Sequence, residues 1–119
     1  YDSFPKDGPK VFLGEYASWG NTWYNALVEP SYMTALERNA ASVGLACYAP
    51  MLANVSYVNW KPDMIWFDDR EVYLTPNYYV QKLFANHRGS HTVLLHDQDV
   101  ELRKKGIYVS VSKHHCENG

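Results

Sequence analysis

The chain has 119 residues, 46% of them hydrophobic and 20% charged, with a formal net charge of -2 at pH 7. That length suits one small domain, and the composition is globular rather than that of a disordered chain. The near-neutral charge gives no electrostatic basis for binding nucleic acid or an anionic membrane surface, and no apolar run approaches the about 20 residues of a membrane-spanning helix.

Ten Tyr and four Trp are the compositional oddity. They read either as a Tyr-rich core or as a sugar-binding surface, since flat rings stack on the C–H faces of sugars. Tyr1 is not an initiator Met, no signal-peptide regions precede it, and the last residues, Lys113 to Gly119, read as a turn between two strands. Both ends are therefore expected to be cut from something longer. Two cysteines make no disulfide framework: Cys47, within an apolar run, reads as a buried thiol, and Cys116 is available to pair with a cysteine outside this segment.

Residues 1–9 are punctuated by Pro and Gly and read as a loop. Val11-Phe12-Leu13 signals a short strand that ends in Gly14-Glu15. Residues 21–41 carry helical spacing, with Met33, Leu36 and Ala40 on one stripe and Arg38 in the last turn; Pro30 predicts a break or kink, with the stronger helix after Ser31. The run Val43 to Tyr48 is apolar without alternation, as in a strand covered on both faces. Residues 49–62 read as a long loop, and Met64 to Phe67 as a brief extended segment. Thr75-Pro76 opens a second helix, with Thr as N-cap, Pro in the first turn, and Tyr79, Val80, Leu83 and Phe84 as its buried stripe. From Ser90 the texture becomes alternating, predicting antiparallel strands at 92–95, 100–102 and 107–112.

The predicted order is α/β: two βα units followed by strands of another kind. A (β/α)8 barrel takes eight units and about 250 residues, and two alone would leave open sheet edges. The pattern is therefore that of the last two βα units of a (β/α)8 TIM barrel over residues 1–89, followed over 90–119 by the beginning of a C-terminal β-sandwich, with the missing N-terminal polypeptide completing the barrel. In such a barrel chemistry gathers at the C-terminal ends of strands, where Glu15 lies. A charged residue there costs desolvation unless it is hydrogen-bonded or used; the alternative is a solvated Glu capping the next loop.

Five stretches carry a resemblance: Gly8-Pro9-Lys10-Val11-Phe12-Leu13-Gly14-Glu15-Tyr16-Ala17, Leu36-Glu37-Arg38-Asn39, Ala46-Cys47-Tyr48-Ala49-Pro50, Trp60-Lys61-Pro62-Asp63, and Tyr73-Leu74-Thr75-Pro76-Asn77-Tyr78-Tyr79-Val80-Gln81. In order and spacing, over residues 8–112, the chain resembles the α-L-arabinofuranosidases of glycoside hydrolase family 51, especially their eukaryotic branch. The resemblance implies a retaining glycosidase with Glu15 as nucleophile on the seventh barrel strand, paired with an acid/base carboxyl roughly 5–5.5 Å away. An attacking carboxylate calls for hydrogen-bond donors around it rather than a dry apolar pocket.

In the family the acid/base Glu follows an Asn on an earlier strand. No such pair sits at a strand end here: Glu117-Asn118 has the reverse order, and Glu29, Glu37 and Glu71 fall on helices or loops. The chain thus carries at most half of the catalytic pair and is expected to be inert alone. The resemblance further implies that Trp19, Trp60 and Asp63 bind substrate, Trp19 by stacking and Asp63 by bonding a sugar hydroxyl, although several relatives carry an amide where Asp63 falls. Ordinary loop packing is the competing reading for Trp19, and core packing is the preferred reading for Tyr16 and Tyr48, which neighbour strand ends.

Asn54-Val55-Ser56 is an N-glycosylation acceptor pattern. His114-His115-Cys116 is no metal site on strand geometry, since neighbouring residues point to opposite faces, and no metal or cofactor is expected. The function implied is an exo-acting hydrolase releasing terminal α-L-arabinofuranosyl groups from plant-type polysaccharides such as arabinoxylan, secreted, with no nucleic-acid or membrane partner. The alternatives are another retaining barrel glycosidase, or a non-catalytic carbohydrate-binding or structural fragment.

Overall fold

The computed structural model describes residues 1–95 and 97–114. The predicted pairing of Cys116, the geometry of His115-Cys116 and the turn at Glu117-Asn118 lie outside the described residues.

Strand β1 (Val11–Tyr16) and strand β2 (Val43–Tyr48) run parallel, joined by helix α1 (Trp23–Arg38), which makes a βαβ unit. Their register pairs Val11 with Val43 and Tyr16 with Tyr48, so both strands end at the same edge. Helix α1 begins at a capping box: the Thr22 hydroxyl accepts from the Asn25 N–H, and the Asn25 side chain accepts from the Thr22 N–H. This satisfies two of the free donors that every helix N-terminus carries.

The break predicted at Pro30 does not occur; α1 runs straight through it. Proline lacks the N–H that would bond the Ala26 carbonyl, but packing of the Asn25, Ala26, Glu29 and Met33 stripe outweighs that loss. Ala40 lies exposed beyond the helix end.

Three short strands follow: the first falls within the predicted loop 49–62, the second is the extended segment expected at Met64 to Phe67, and the third was not predicted. Strand β3 (Leu52–Asn54) pairs parallel with β4 (Ile65–Phe67), and β4 pairs antiparallel with β5 (Val72–Leu74). Helix α2 (Pro76–Asn86) starts as predicted: the Thr75 hydroxyl accepts from the Tyr78 N–H at 3.2 Å and donates to the Met64 carbonyl at 2.6 Å. Helices α1 and α2 pack on each other. Tyr79 and Leu83, predicted to be buried, are exposed on α2.

After α2, strand β6 (His91–Val93) pairs antiparallel with β7 (Val111–Lys113). The strand predicted at 100–102 is instead part of helix α3 (Asp97–Lys104). It closes in a Schellman motif, in which Ile107 N–H bonds the Leu102 carbonyl, Gly106 N–H bonds the Arg103 carbonyl, and Gly106 takes φ 74°. Asp99 explains the choice of helix: its carboxyl meets Arg38 Nε of α1 at 3.1 Å and Arg103 one turn on at 3.2 Å.

Apolar burial is thin. The buried hydrophobic residues are Ala26, Met33, Tyr48, Ala53 and Met64, while the register partners Phe12 and Leu45 are 64% and 55% exposed. The β2 run expected to be covered on both faces is therefore covered incompletely. The radius of gyration is 16.4 Å, against about 13–14 Å for a compact domain of this length. Among the described residues, no helix is long and apolar enough to cross a membrane.

Candidate active site

Parallel strands that end together leave the loops after them side by side, which is where open and closed α/β sheets form clefts. The loop after β1 carries Trp19, and the connection after β2, beyond the short strand β3, carries Trp60. Together with Glu15, Tyr16, Ala17, Ala49, Pro50 and Pro62 they line a cavity of about 400 Å³. The two indoles approach to 5.1 Å between ring centroids, tilted by 56°. Glu15 reaches this cavity from the end of β1 and is exposed there. Of the predicted site residues, Glu15, Trp19 and Trp60 are thus brought together.

Asp63 sits apart from that lining. It is 2% exposed, and one carboxyl oxygen, Oδ2, is buried without a hydrogen-bond partner among the described residues. Burial pushes its carboxyl above the ordinary carboxylate value. Its backbone N–H donates to the Asn21 side chain at 3.3 Å, and the Trp66 indole N–H reaches the same oxygen at 3.4 Å. Asn54, at the end of β3, uses its side-chain oxygen to accept from Ser56 N–H at 2.9 Å, an Asx turn on a surface where Val55 and Ser56 are exposed. Cys47 is half-buried and unbridged.

Sequence reasoning set Glu29 aside because no strand delivers it. The structure places its carboxyl, 2% exposed, at the centre of a polar cluster beneath the two loops. Oε1 accepts from Asn77 Nδ2 at 2.8 Å, the Tyr48 hydroxyl at 3.1 Å and Ser18 N–H at 3.2 Å, and Oε2 accepts from Gln81 Nε2 at 3.4 Å. Burial, with the Glu29 carboxyl and the hydrogen bond to it adding to the effect, pushes the Tyr48 hydroxyl well above its usual range. Asn77, fully buried, passes the network on by accepting from Asn21 Nδ2 at 3.1 Å. The signal available in sequence was the spacing Asn25, Glu29, Met33, which puts a carboxyl on the inward stripe of α1.

Chemically, the cavity offers one carboxyl, two indole faces and no group of three or more His, Cys, Asp or Glu arranged to hold a metal ion among the described residues. The sequence profile described as "Alpha-L-arabinofuranosidase C-terminal domain" matches residues 14–109. The chain belongs to this family, the C-terminal portion of family 51 α-L-arabinofuranosidases.

An "Extracellular exo-alpha-L-arabinofuranosidase" of Streptomyces chartreusis is 58% identical over 93 residues, covering 78% of this chain and 11% of that protein. "Alpha-L-arabinofuranosidase 1" of Arabidopsis thaliana is 36% identical over 95 residues, covering 76% and 14%. The resemblance therefore extends beyond the eukaryotic branch. A solved arabinose-bound family 51 α-L-arabinofuranosidase superposes with a TM-score of 0.81 at 28% identity, over 96% of this chain and 20% of that one. The chain thus spans roughly a seventh or less of the curated relatives' length.

Proposed function

We propose that this chain supplies the nucleophile and one wall of the sugar subsite of a retaining, secreted exo-α-L-arabinofuranosidase. In this reading β1 and β2 are the last two strands of a (β/α)8 barrel over residues 1–89, and residues 90–119 begin a β-sandwich. The earlier strands, on N-terminal polypeptide outside this chain, cover Phe12 and Leu45 and bring the acid/base carboxyl. The substrate is a terminal α-L-arabinofuranosyl group on a plant-type polysaccharide or oligosaccharide. The observation carrying this is that Glu15 opens into one cavity with Trp19 and Trp60 at the common end of two parallel strands. The arabinose bound in the solved relative and the activity in the relatives' names agree with it.

Glu15 attacks the anomeric carbon as the glycosidic C–O bond breaks, and the leaving oxygen takes the proton of the second carboxyl. Water then attacks the glycosyl ester, gives its proton to that same carboxyl and frees Glu15, so the configuration is retained. Trp19 and Trp60 stack on the furanose. Asp63, buried apart from the cavity, accepts from a sugar hydroxyl once the loop that carries it turns its carboxyl outward. Asn54 carries an N-linked glycan in a secreting host that attaches one.

In the full-length enzyme, Glu15→Ala should lose at least about a thousand-fold in kcat on an aryl arabinofuranoside, ~4 kcal/mol of barrel-mouth chemistry. Added azide should then restore turnover by attacking the vacated face, giving an arabinofuranosyl azide of inverted configuration. Near-normal hydrolysis by the variant, or rescue with retained configuration, rules Glu15 out as nucleophile.

A further inference from the structure

The stretch from Glu15 to Trp19 has open space on two sides. One face lines the cavity shared with Trp60, and the other lines a second cavity of about 470 Å³ with Leu13, Val28, Glu29 and Tyr32. A segment flanked by two cavities gains little from close packing, so polar ties carry the task of fixing it. Besides the backbone bond from Ala49 N–H to the Tyr16 carbonyl at 3.2 Å, three ties involve side chains. Ser18 N–H donates to Glu29 at 3.2 Å, Ser18 Oγ accepts from Asn25 Nδ2 at 2.6 Å, and the Tyr16 hydroxyl donates to Gln81 Oε1 at 2.7 Å. Gln81 then donates its amide to Glu29 at 3.4 Å. Tyr16 and Ser18, both within this stretch, are thus referred to one buried carboxyl, Tyr16 through Gln81 and Ser18 directly.

From this geometry we infer that Glu29 is the positioning residue of the site: it sets where Glu15 points, without itself meeting the sugar. The inference rests on the reading of Glu15 as nucleophile. Gln81 makes the arrangement directional, because its oxygen is committed to Tyr16 and its amide to Glu29. A carboxyl at position 29 only accepts and meets four donors. In E29Q one of those contacts sets amide against amide, so Gln81 must either leave position 29 or turn over, which reverses its bond with Tyr16 and makes the hydroxyl the acceptor. Asn77 links the same carboxyl through Asn21 to the Asp63 backbone, so the loop after β2 is set from the same point. A displacement of a nucleophile by a fraction of an ångström to an ångström lowers rate by up to about 100-fold while binding changes little.

The test uses the full-length enzyme and a 2-fluorinated arabinofuranoside with an activated leaving group, which traps the attacking carboxyl as a slowly hydrolysed ester. In the wild type the label should fall on Glu15 by peptide mass spectrometry. In E29Q it should fall on the same residue, with a maximal labelling rate about 10- to 100-fold lower and a half-saturating concentration within about threefold. Loss of folded protein alone would lower the fraction labelled and leave the rate of the labelled fraction intact. The double variant E29Q/Q81E, which returns an acceptor between Tyr16 and position 29, should recover most of the rate. If E29Q does not melt cooperatively, Q81M, which cuts the contacts of Gln81 with Tyr16 and Glu29, carries the same expectation. A wild-type labelling rate in E29Q, or in Q81M where that variant is used, overturns the inference and leaves Glu15 in place. A wild type labelled elsewhere overturns the reading beneath it.

Discussion

Asn21 and Asp63 lie on different loops, yet the Asp63 N–H donates to the Asn21 side-chain oxygen at 3.3 Å. The backbone of residue 63 is tied down while its carboxyl oxygen Oδ2 is buried with no partner among the described residues. A buried acid without a donor favours its neutral form, and burial raises its pKa above the ordinary 3.8.

The sign of the pH effect follows. Folded protein holds this proton more tightly than unfolded chain does, so the contribution of Asp63 is most favourable below pH 3.8 and is lost as pH rises through its raised value. Asp63→Asn removes the titration. Its melting temperature relative to wild type should therefore climb from acid to neutral pH, measured on the full-length enzyme, while affinity for arabinose falls. A difference in melting temperature that is flat with pH would mean the carboxyl is compensated when sugar is absent.

Trp19 is 76% exposed, so its removal costs the fold little. Trp19→Ala should leave the melting temperature within a degree or two and raise KM about two- to tenfold, the range of one aromatic contact of ~0.5–1.5 kcal/mol. Equal losses in wild-type and variant affinity for a substrate lacking a furanose ring would assign the indole to packing.

Gly20 takes φ 134°, and a Cβ there would stand 2.7 Å from the Asn25 side-chain oxygen. Gly20→Ala should cost about 1–3 kcal/mol of stability and disturb the capping box that Asn25 completes. Asn25→Ala, which removes the obstacle, should make the glycine replacement less costly; strict additivity in thermal melts would deny the contact.

Two ion pairs of α3 separate by burial. Asp99 is 6% exposed and bonds Arg38 and Arg103, whereas Lys104 and Glu101 meet in solvent. Asp99→Ala should cost about 3 kcal/mol by stranding the largely buried Arg38, while Arg103 keeps its pair with Asp2, and Glu101→Ala under about 0.5 kcal/mol. Similar losses from both would mean that the Asp99 cluster is as wet as the surface pair.

The elements legible in sequence are those with local chemistry of their own. Thr75-Pro76 states where α2 begins, and the unbroken run Val43 to Tyr48 states a strand, because caps and apolar runs act within a few residues. Pro30 misled because the penalty of one missing N–H is local while the packing that offsets it comes from α2. The pattern Val100-Glu101-Leu102 alternates like a strand, and its helix is decided by the Asp99–Arg38 pair sixty residues apart in the chain. The order of acids before bases ending at Gly106 was the local hint of that helix. For the site, Glu15 announces itself at a strand end, whereas Glu29 could be recognised only when its four donors were seen to converge from α2, β2 and a loop.

Helix α1 is 16 residues long, about 24 Å from end to end. Its first half holds the Glu29 cluster and its last turn holds Arg38, which grips Asp99. Recombination between relatives can exploit that separation: a splice that exchanges everything after α2 keeps the Glu29 cluster intact, provided the incoming segment carries an acid at position 99 to meet the resident Arg38.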